Sequence, residues 1–408
     1  MLYPLLAWTL CVLLLVWSFR KVITAAWREP VLKFPVLVIE SDDWGPGPAL
    51  HAQALERLRQ VLLRHRDSRG RPALMTLGVI LALPDTAAIR AARMERYHRL
   101  PLTDARFEPI RRAMAQGIAD GVFAVQLHGL EHYSPAVLMN AAHTDPAVAQ
   151  WLATGTLPET ETLPSHLQSR WTDASRLPSV PLRDVDIARA VAEETALFKD
   201  IFGIPPVVAV PPAFVWGETV ERAWAAHGVR VVVTPGRRYE GRGADGRPDR
   251  AGRDLRNGER GSAGMLYLVR DAYFEPALDH KAERVTAALA HNTELGRPTL
   301  VETHRFNFVR AGAAEALAEL GRALDSALAA YPSIRFLAPV ELAEAMTRRA
   351  PDLIEAGFKA RLRAWLARLR ILPRFWKLAR VTGLALPLRL AGRLVGATAR
   401  LHGRELCP

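Results

Sequence analysis

Cysteine is almost absent: Cys11 and Cys407 are the only two in 408 residues. One lies in an apolar run and the other beside the C-terminus, so neither a disulfide framework nor a thiolate metal cluster can be built. A metal site in this chain has to use His and carboxylates. Acidic residues are in deficit, 42 against 54 Lys and Arg, giving a formal charge of +12. There is no tandem repeat or low-complexity tract, and half of the residues are hydrophobic, which excludes a disordered or collagen-like chain and provides for a core.

Long apolar runs are scarce, and the one at residues 1–19 holds no charged side chain. Its length is about the ~18-residue minimum for a spanning helix. No basic segment precedes it, and Thr24-Ala25-Ala26 is a poor cleavage signal, so a retained single membrane span is expected rather than a signal peptide. Arg20, Lys21, Arg28 and Lys33 follow the run, which places the body in the cytoplasm by the positive-inside rule.

At the other end, residues 351–408 hold twelve Lys and Arg and three acids. Phe358, Leu362, Trp365, Leu366 and Leu369 recur at helical spacing opposite Lys359, Arg361, Arg363, Arg368 and Arg370. Such a basic amphipathic tail suits a membrane interface, so residues 1–19 and 351–408 are expected to meet membrane lipids. No recognition motif accompanies the charge, and no nucleic-acid partner is expected.

Between the ends, β-branched runs alternate with helical patterns. Strands are expected over 35–41, 73–80, 122–127, 207–211, 229–234, 265–269, 299–303 and 334–337, and helices over 48–64, 105–120, 185–202, 218–227, 281–295, 311–330 and 340–349. That alternation predicts an α/β fold, a parallel sheet closing into a distorted, partly open barrel. The expected organisation is an anchor and juxtamembrane segment (1–33), a catalytic body (34–350) and the basic tail (351–408). Two insertions, 134–183 and 235–264, interrupt the body; the second, with eight Arg and eight Gly, reads as a mobile loop with solvated arginines.

In βα folds reactive groups collect at the C-terminal ends of strands. Three ends stand out: Ser41-Asp42-Asp43-Trp44-Gly45, His128-Gly129-Leu130-Glu131-His132 and Glu302-Thr303-His304. Two imidazoles four residues apart and a carboxylate can hold a divalent metal with positions left open. Asp43, His128 and His132 are therefore the expected metal ligands, with Asp42 the base toward a water and His304 the acid toward a departing amine or alkoxide. Glu131 sits in an order unlike that of zinc peptidases and receives no role.

These motifs resemble the NodB-homology polysaccharide deacetylases, carbohydrate esterase family 4, whose Asp-Asp, His-x-x-x-His and late His occur in this order. The resemblance covers roughly residues 35–345. It implies a (β/α) barrel of about seven strands, a metal of zinc type, and removal of acetyl groups from a polysaccharide or a lipid-linked saccharide by the same five residues. Two departures stand out. Trp44 interrupts the usual Asp-Asp-Gly, and the Arg-Pro-Pro-Tyr motif is represented by Val210-Pro211-Pro212-Ala213-Phe214, which has no Arg to orient the base. Arg270 is the expected replacement, with Asp271 positioning His304, while Phe214 and Trp216 are expected to meet a sugar ring. The missing Arg keeps open an inactive module that binds glycan or a partner. A glycoside hydrolase would need a second pair of carboxylates at strand ends, which the sequence does not offer.

Overall fold

The computed structural model describes residues 2–153, 157–249, 252–261 and 263–402. The chain forms two compact units, one of residues 37–288 and 299–343, the other of residues 1–36, 289–298 and 344–408.

The first unit is α/β. Strands β1 (Val36–Trp44), β2 (Met75–Val79), β3 (Phe123–Leu127), β4 (Val208–Ala209), β5 (Val231–Thr234), β6 (Leu266–Val269), β7 (Ala272–Tyr273), β8 (Thr299–His304) and β9 (Arg335–Phe336) belong to one sheet. Its order is β6-β5-β4-β3-β2-β1-β8-β7, with β9 beside β1. Neighbours along that path pair in parallel. Parallel neighbours need crossovers, and helices such as Leu50–Leu63, Glu108–Ala119 and Asp184–Phe202 supply them. Every residue of β1 is buried, as a central strand covered on both faces requires.

The outermost strands β6 and β7 are joined by Arg270 and Asp271 alone. Three Cα steps reach at most about 11 Å. The sheet therefore curls until its two edges nearly meet, as an open barrel-like sheet. Strand β7, only two residues long, has no periodicity for a sequence pattern to register.

The first insertion packs into a small core shared with Ile89 and Tyr133, where Val137, Leu138, Val148 and Leu152 are buried together. The second departs from the expected solvated loop. Arg237–Arg238 pairs with Arg253–Asp254 as a short antiparallel hairpin. Arg238 and Arg242 are buried, and Arg242 donates to the Ser169 hydroxyl (2.7 Å) and the Gly246 carbonyl (2.8 Å).

In the second unit the expected membrane span is not found. Helix Leu2–Ser18 stops before Phe19, and the chain turns by 62° into Arg20–Arg28. Among the described residues no single helix is long and apolar enough to cross a membrane. A run without charges is not a straight helix, and the bend leaves 17 residues, at the lower limit of spanning lengths. Without a span, the basic residues that follow set no orientation, and the cytoplasmic expectation loses its basis.

The tail forms helices Phe358–Arg370, Pro373–Val381 and Ala385–His402, and residues 403–408 lie outside the described residues. Leu15 is buried with Leu369, Phe375 and Trp376, so the two ends of the chain share a core. Arg368, assigned by its spacing to the basic outer face, is instead 1% exposed. Its guanidinium donates to the main-chain carbonyls of Ala26, Glu29, Pro30, Leu295 and Gly296 at 2.8–3.2 Å.

Candidate metal centre

Adjacent side chains on a regular strand point to opposite faces, so Asp42 and Asp43 could not both reach one site from an undistorted β1. The strand avoids this by a register shift against β2 between Ser41 and Trp44. Asp43 itself adopts φ +69°, a left-handed conformation that Asp tolerates better than most residues. Trp44 is fully buried and gives its indole N–H to the Ser41 hydroxyl (2.9 Å). Gly45 follows with φ +153°, and a Cβ there would lie 2.1 Å from the Ile80 carbonyl oxygen. Only glycine fits.

From β3 the chain turns at Gly129 (φ +103°) in a tight loop rather than a helical turn, which brings His128 and His132 to 5.0 Å between ring centroids. Nε2 of His128 lies 3.4 Å and Nε2 of His132 3.6 Å from Oδ1 of Asp43. His128 uses Nδ1 on the Val210 carbonyl (3.0 Å). That contact needs a proton on Nδ1, so Nε2 is the nitrogen that faces Asp43 and, in the neutral ring, the one free to bind a cation.

Asp43 Oδ1 is buried and has no hydrogen-bond partner. One ligand atom from each of Asp43, His128 and His132 lies within 4.8 Å of the others. An orphaned carboxylate oxygen between two imidazole nitrogens is the donor set a divalent cation takes. The three residues fit such an ion. Burial raises the Asp43 pKa, but the flanking imidazoles outweigh it and hold the group well below the carboxylate range. Burial also dominates at His132, lowering its pKa to about 4.

Asp42, adjacent but aimed elsewhere, meets Arg270. The two guanidinium nitrogens reach its oxygens at 2.5 and 3.0 Å. Burial alone would raise the Asp42 pKa; Arg270 reverses the sign and keeps it below the ordinary value. Beneath it, a Cβ on Gly78 would meet Asp42 Oδ1 at 2.2 Å, so β2 leaves the carboxylate its space by having no side chain there.

His304 lies across from Asp42 in the β1–β8 register. Its Nδ1 is 2.6 Å from Glu275 Oε1, and the other Glu275 oxygen accepts from Asn307. Burial, the largest influence, would lower the imidazole pKa, but Glu275 and the two aspartates raise it to about 10. With Nδ1 on Glu275, Nε2 is the ring nitrogen left without that contact.

Asp271 accepts instead from the Leu300 main-chain N–H (3.3 Å), so the carboxylate beside His304 comes from Glu275. Phe214 stands 5.9 Å below the Arg270 guanidinium, while Trp216 is fully buried with its indole N–H on Glu221 (3.0 Å) and offers no open ring face. Glu131 is withdrawn into a buried cluster with Arg170 and Arg99.

Sequence reasoning missed Glu40, Gln126, Glu275 and Glu302. Glu40 Oε2 accepts from Gln126 (2.7 Å) and Arg270 (3.1 Å). An acid inside an apolar central strand was the available signal for Glu40 and Glu302, because burial there demands a partner. Residues 157–161 of the first insertion close the remaining side: Glu161 pairs with Arg305 (2.7 Å), and Leu157, Pro158 and Thr160 bound a cavity of about 50 Å³ that Asp43 also lines.

The chain is similar to solved structures of family 4 carbohydrate esterases and deacetylases, the family its motifs resemble. A family 4 carbohydrate esterase from Streptomyces lividans in complex with acetate is 12% identical, with 75% of this chain and 98% of that chain covered and a TM-score of 0.35. The chitin deacetylase of Colletotrichum lindemuthianum is 11% identical over 77% and 89%, with a TM-score of 0.37. A 4-alpha-glucanotransferase from Thermococcus litoralis is 9% identical over 76% of this chain and 40% of that chain, with a TM-score of 0.39. No protein-family model matches the sequence, and no curated protein matches it. At such identities the chemistry has to be argued from the side chains themselves.

Proposed function

We propose that the first unit is a metal-dependent hydrolase that removes acetyl groups from a polysaccharide or lipid-linked saccharide, by amide or ester cleavage. One observation carries the reading: a carboxylate paired to arginine, an Asp-His-His donor set and a carboxylate-backed imidazole converge at the ends of β1, β3 and β8.

Asp43, His128 and His132 would hold a divalent ion, zinc being the expected one, which supplies Lewis acidity toward a carbonyl oxygen and a water. Asp42, ionised and held by Arg270, is placed to take the proton of a water attacking the acyl carbon. Its fixed pairing keeps one carboxylate geometry and needs no reorganisation. His304, protonated and oriented by Glu275, delivers a proton from Nε2 to the leaving nitrogen or oxygen. The cavity of about 50 Å³ that Asp43 lines has room for a few waters.

The inactive-module reading was motivated by the missing motif Arg. With Arg270 against Asp42 at 2.5 Å, a guanidinium stands beside the base after all. The test is acetate release from N- and O-acetylated glycans by the full chain loaded with zinc or cobalt. Native protein is expected to bind about one metal ion per chain and to release acetate, and Asp42→Asn to be slower by about 100-fold or more. Native protein that releases no acetate, or that binds no metal, overturns the reading.

A further inference from the structure

Strands β1 and β8 pair so that Glu40 stands opposite Glu302 and Asp42 opposite His304. Residues two apart on a strand share a face, so four titratable groups form a square with Arg270 beside it. One guanidinium has to serve three carboxylates. Asp42 takes two of its hydrogen bonds, and Glu40 shares one and adds another from Gln126.

Glu302 is the one left over. It is 4% exposed, its Oε2 comes no nearer to Arg270 than 3.9 Å, and that oxygen has no hydrogen-bond partner. Its Oε1 faces Nε2 of His304 at 3.9 Å.

A buried carboxylate with one oxygen unbonded, and with Arg270 and His304 no closer than 3.9 Å, is costly as an anion and holds a proton instead. Burial is the main influence at Glu302 and raises its pKa to about 7; Arg270 and His304 pull it down, while Asp42 and Glu275 push it up. Tyr273, its register neighbour on β7, is un-ionised at neutral pH, since its own pKa is raised above 10 by burial. Thus Glu40, Asp42, Arg270, Tyr273, Glu275 and His304 are the charged and titratable groups around it.

We propose that Glu302 holds a proton in the resting site and returns it to Nε2 of His304 once that imidazolium has protonated the leaving group, a step that rests on the hydrolase reading above.

The protons balance. As water oxygen bonds to the acyl carbon, a water proton goes to Asp42. The bond from that carbon to the leaving nitrogen or oxygen breaks, and its electron pair takes the Nε2 proton of His304. The O–H bond of Glu302 then breaks and its proton moves to Nε2, the 3.9 Å gap closing by about 1 Å, as such contacts tighten on turnover. Asp42 is now neutral and Glu302 anionic, so the Arg270 charge is offered to the second as the first gives it up. The enclosed charge is unchanged. Loss of the Asp42 proton to solvent and uptake of one by Glu302 restore the start. Glu302 acts through His304 and is a positioning and proton-holding residue.

Infrared titration of the full chain, free of metal and glycan, tests the first half. A protonated-carboxyl band should disappear with a midpoint near pH 7 and be absent in Glu302→Gln; an identical band in the variant overturns the proposal. Pre-steady-state acetate release tests the second half. Glu302→Gln should release its first equivalent at the native rate, then slow by about tenfold or more, with Glu302→Asp recovering part of the loss and shifting the pH profile. An unchanged steady-state rate and pH profile in Glu302→Gln overturns the return step. Native protein without acetate release overturns the hydrolase reading together with that step, whereas the infrared band reports on the proton independently.

Discussion

Gly78 shows how narrowly the Asp42 carboxylate is held. A methyl group there would lie 2.2 Å from Asp42 Oδ1, and the carboxylate cannot swing aside without leaving Arg270. Gly78→Ala is expected to lower acetate release with little effect on metal affinity, and to cost about 1–3 kcal/mol in urea unfolding through overpacking. A variant as active as the native protein would show that the carboxylate is free to move. His304 offers a pH test. Its folded pKa, about 10, lies above the unfolded value of 6.5. Its stabilisation is therefore fully present below about pH 6.5 and is lost as pH rises through 10. Urea midpoints should fall across that window in native protein and stay flatter in Glu275→Gln. The same variant should bring the alkaline limb of the kcat/KM profile down toward neutral pH. Limbs that coincide in the two proteins would separate Glu275 from the proton held on His304.

Among the elements, the helices and most strands were legible because apolar runs and helical spacing alternate without ambiguity between residues 35 and 349. Helix Glu218–Ala226, for example, was expected over 218–227. The gathering of Asp43, His128 and His132 was legible for the same reason: the ends of recognised strands are where a βα fold places reactive groups. Separation in sequence limits the rest. Arg270 and Asp42 are 228 positions apart, and their pairing was expected from the gap in the resembled motif rather than from any local pattern. Glu275 follows β7, a strand of two residues with no period to detect. Arg368 escaped for another reason. Helical spacing shows that it is offset from the apolar stripe, but not that main-chain carbonyls from two other segments converge on that side.

For the molecule as a whole, the +12 charge divides unevenly, with most of it in residues 351–408. Part of that charge is structural. Arg368→Met would leave the carbonyls of Ala26, Glu29, Pro30, Leu295 and Gly296 without this donor and Glu29 with one cation fewer nearby. Calorimetry should show the second unit destabilised by about 3–5 kcal/mol. Arg363→Ala, at an exposed position one turn away, should remain within about 0.5 kcal/mol of native. Equal losses in the two variants would mean that total charge, not the buried guanidinium, holds these segments together.

The seam between β6 and β7 carries a consequence for how such proteins are found. Arg270 stands where the two edges of the curled sheet come together, so a guanidinium can reach the first strand from there as readily as from the Pro-Pro segment after β4. Chemistry of this kind is specified by a point in space, and more than one stretch of chain leads to it. A search pattern that fixes the arginine at one place in a linear motif passes over any chain in which that side chain has changed address while the carboxylate it serves has stayed where it was.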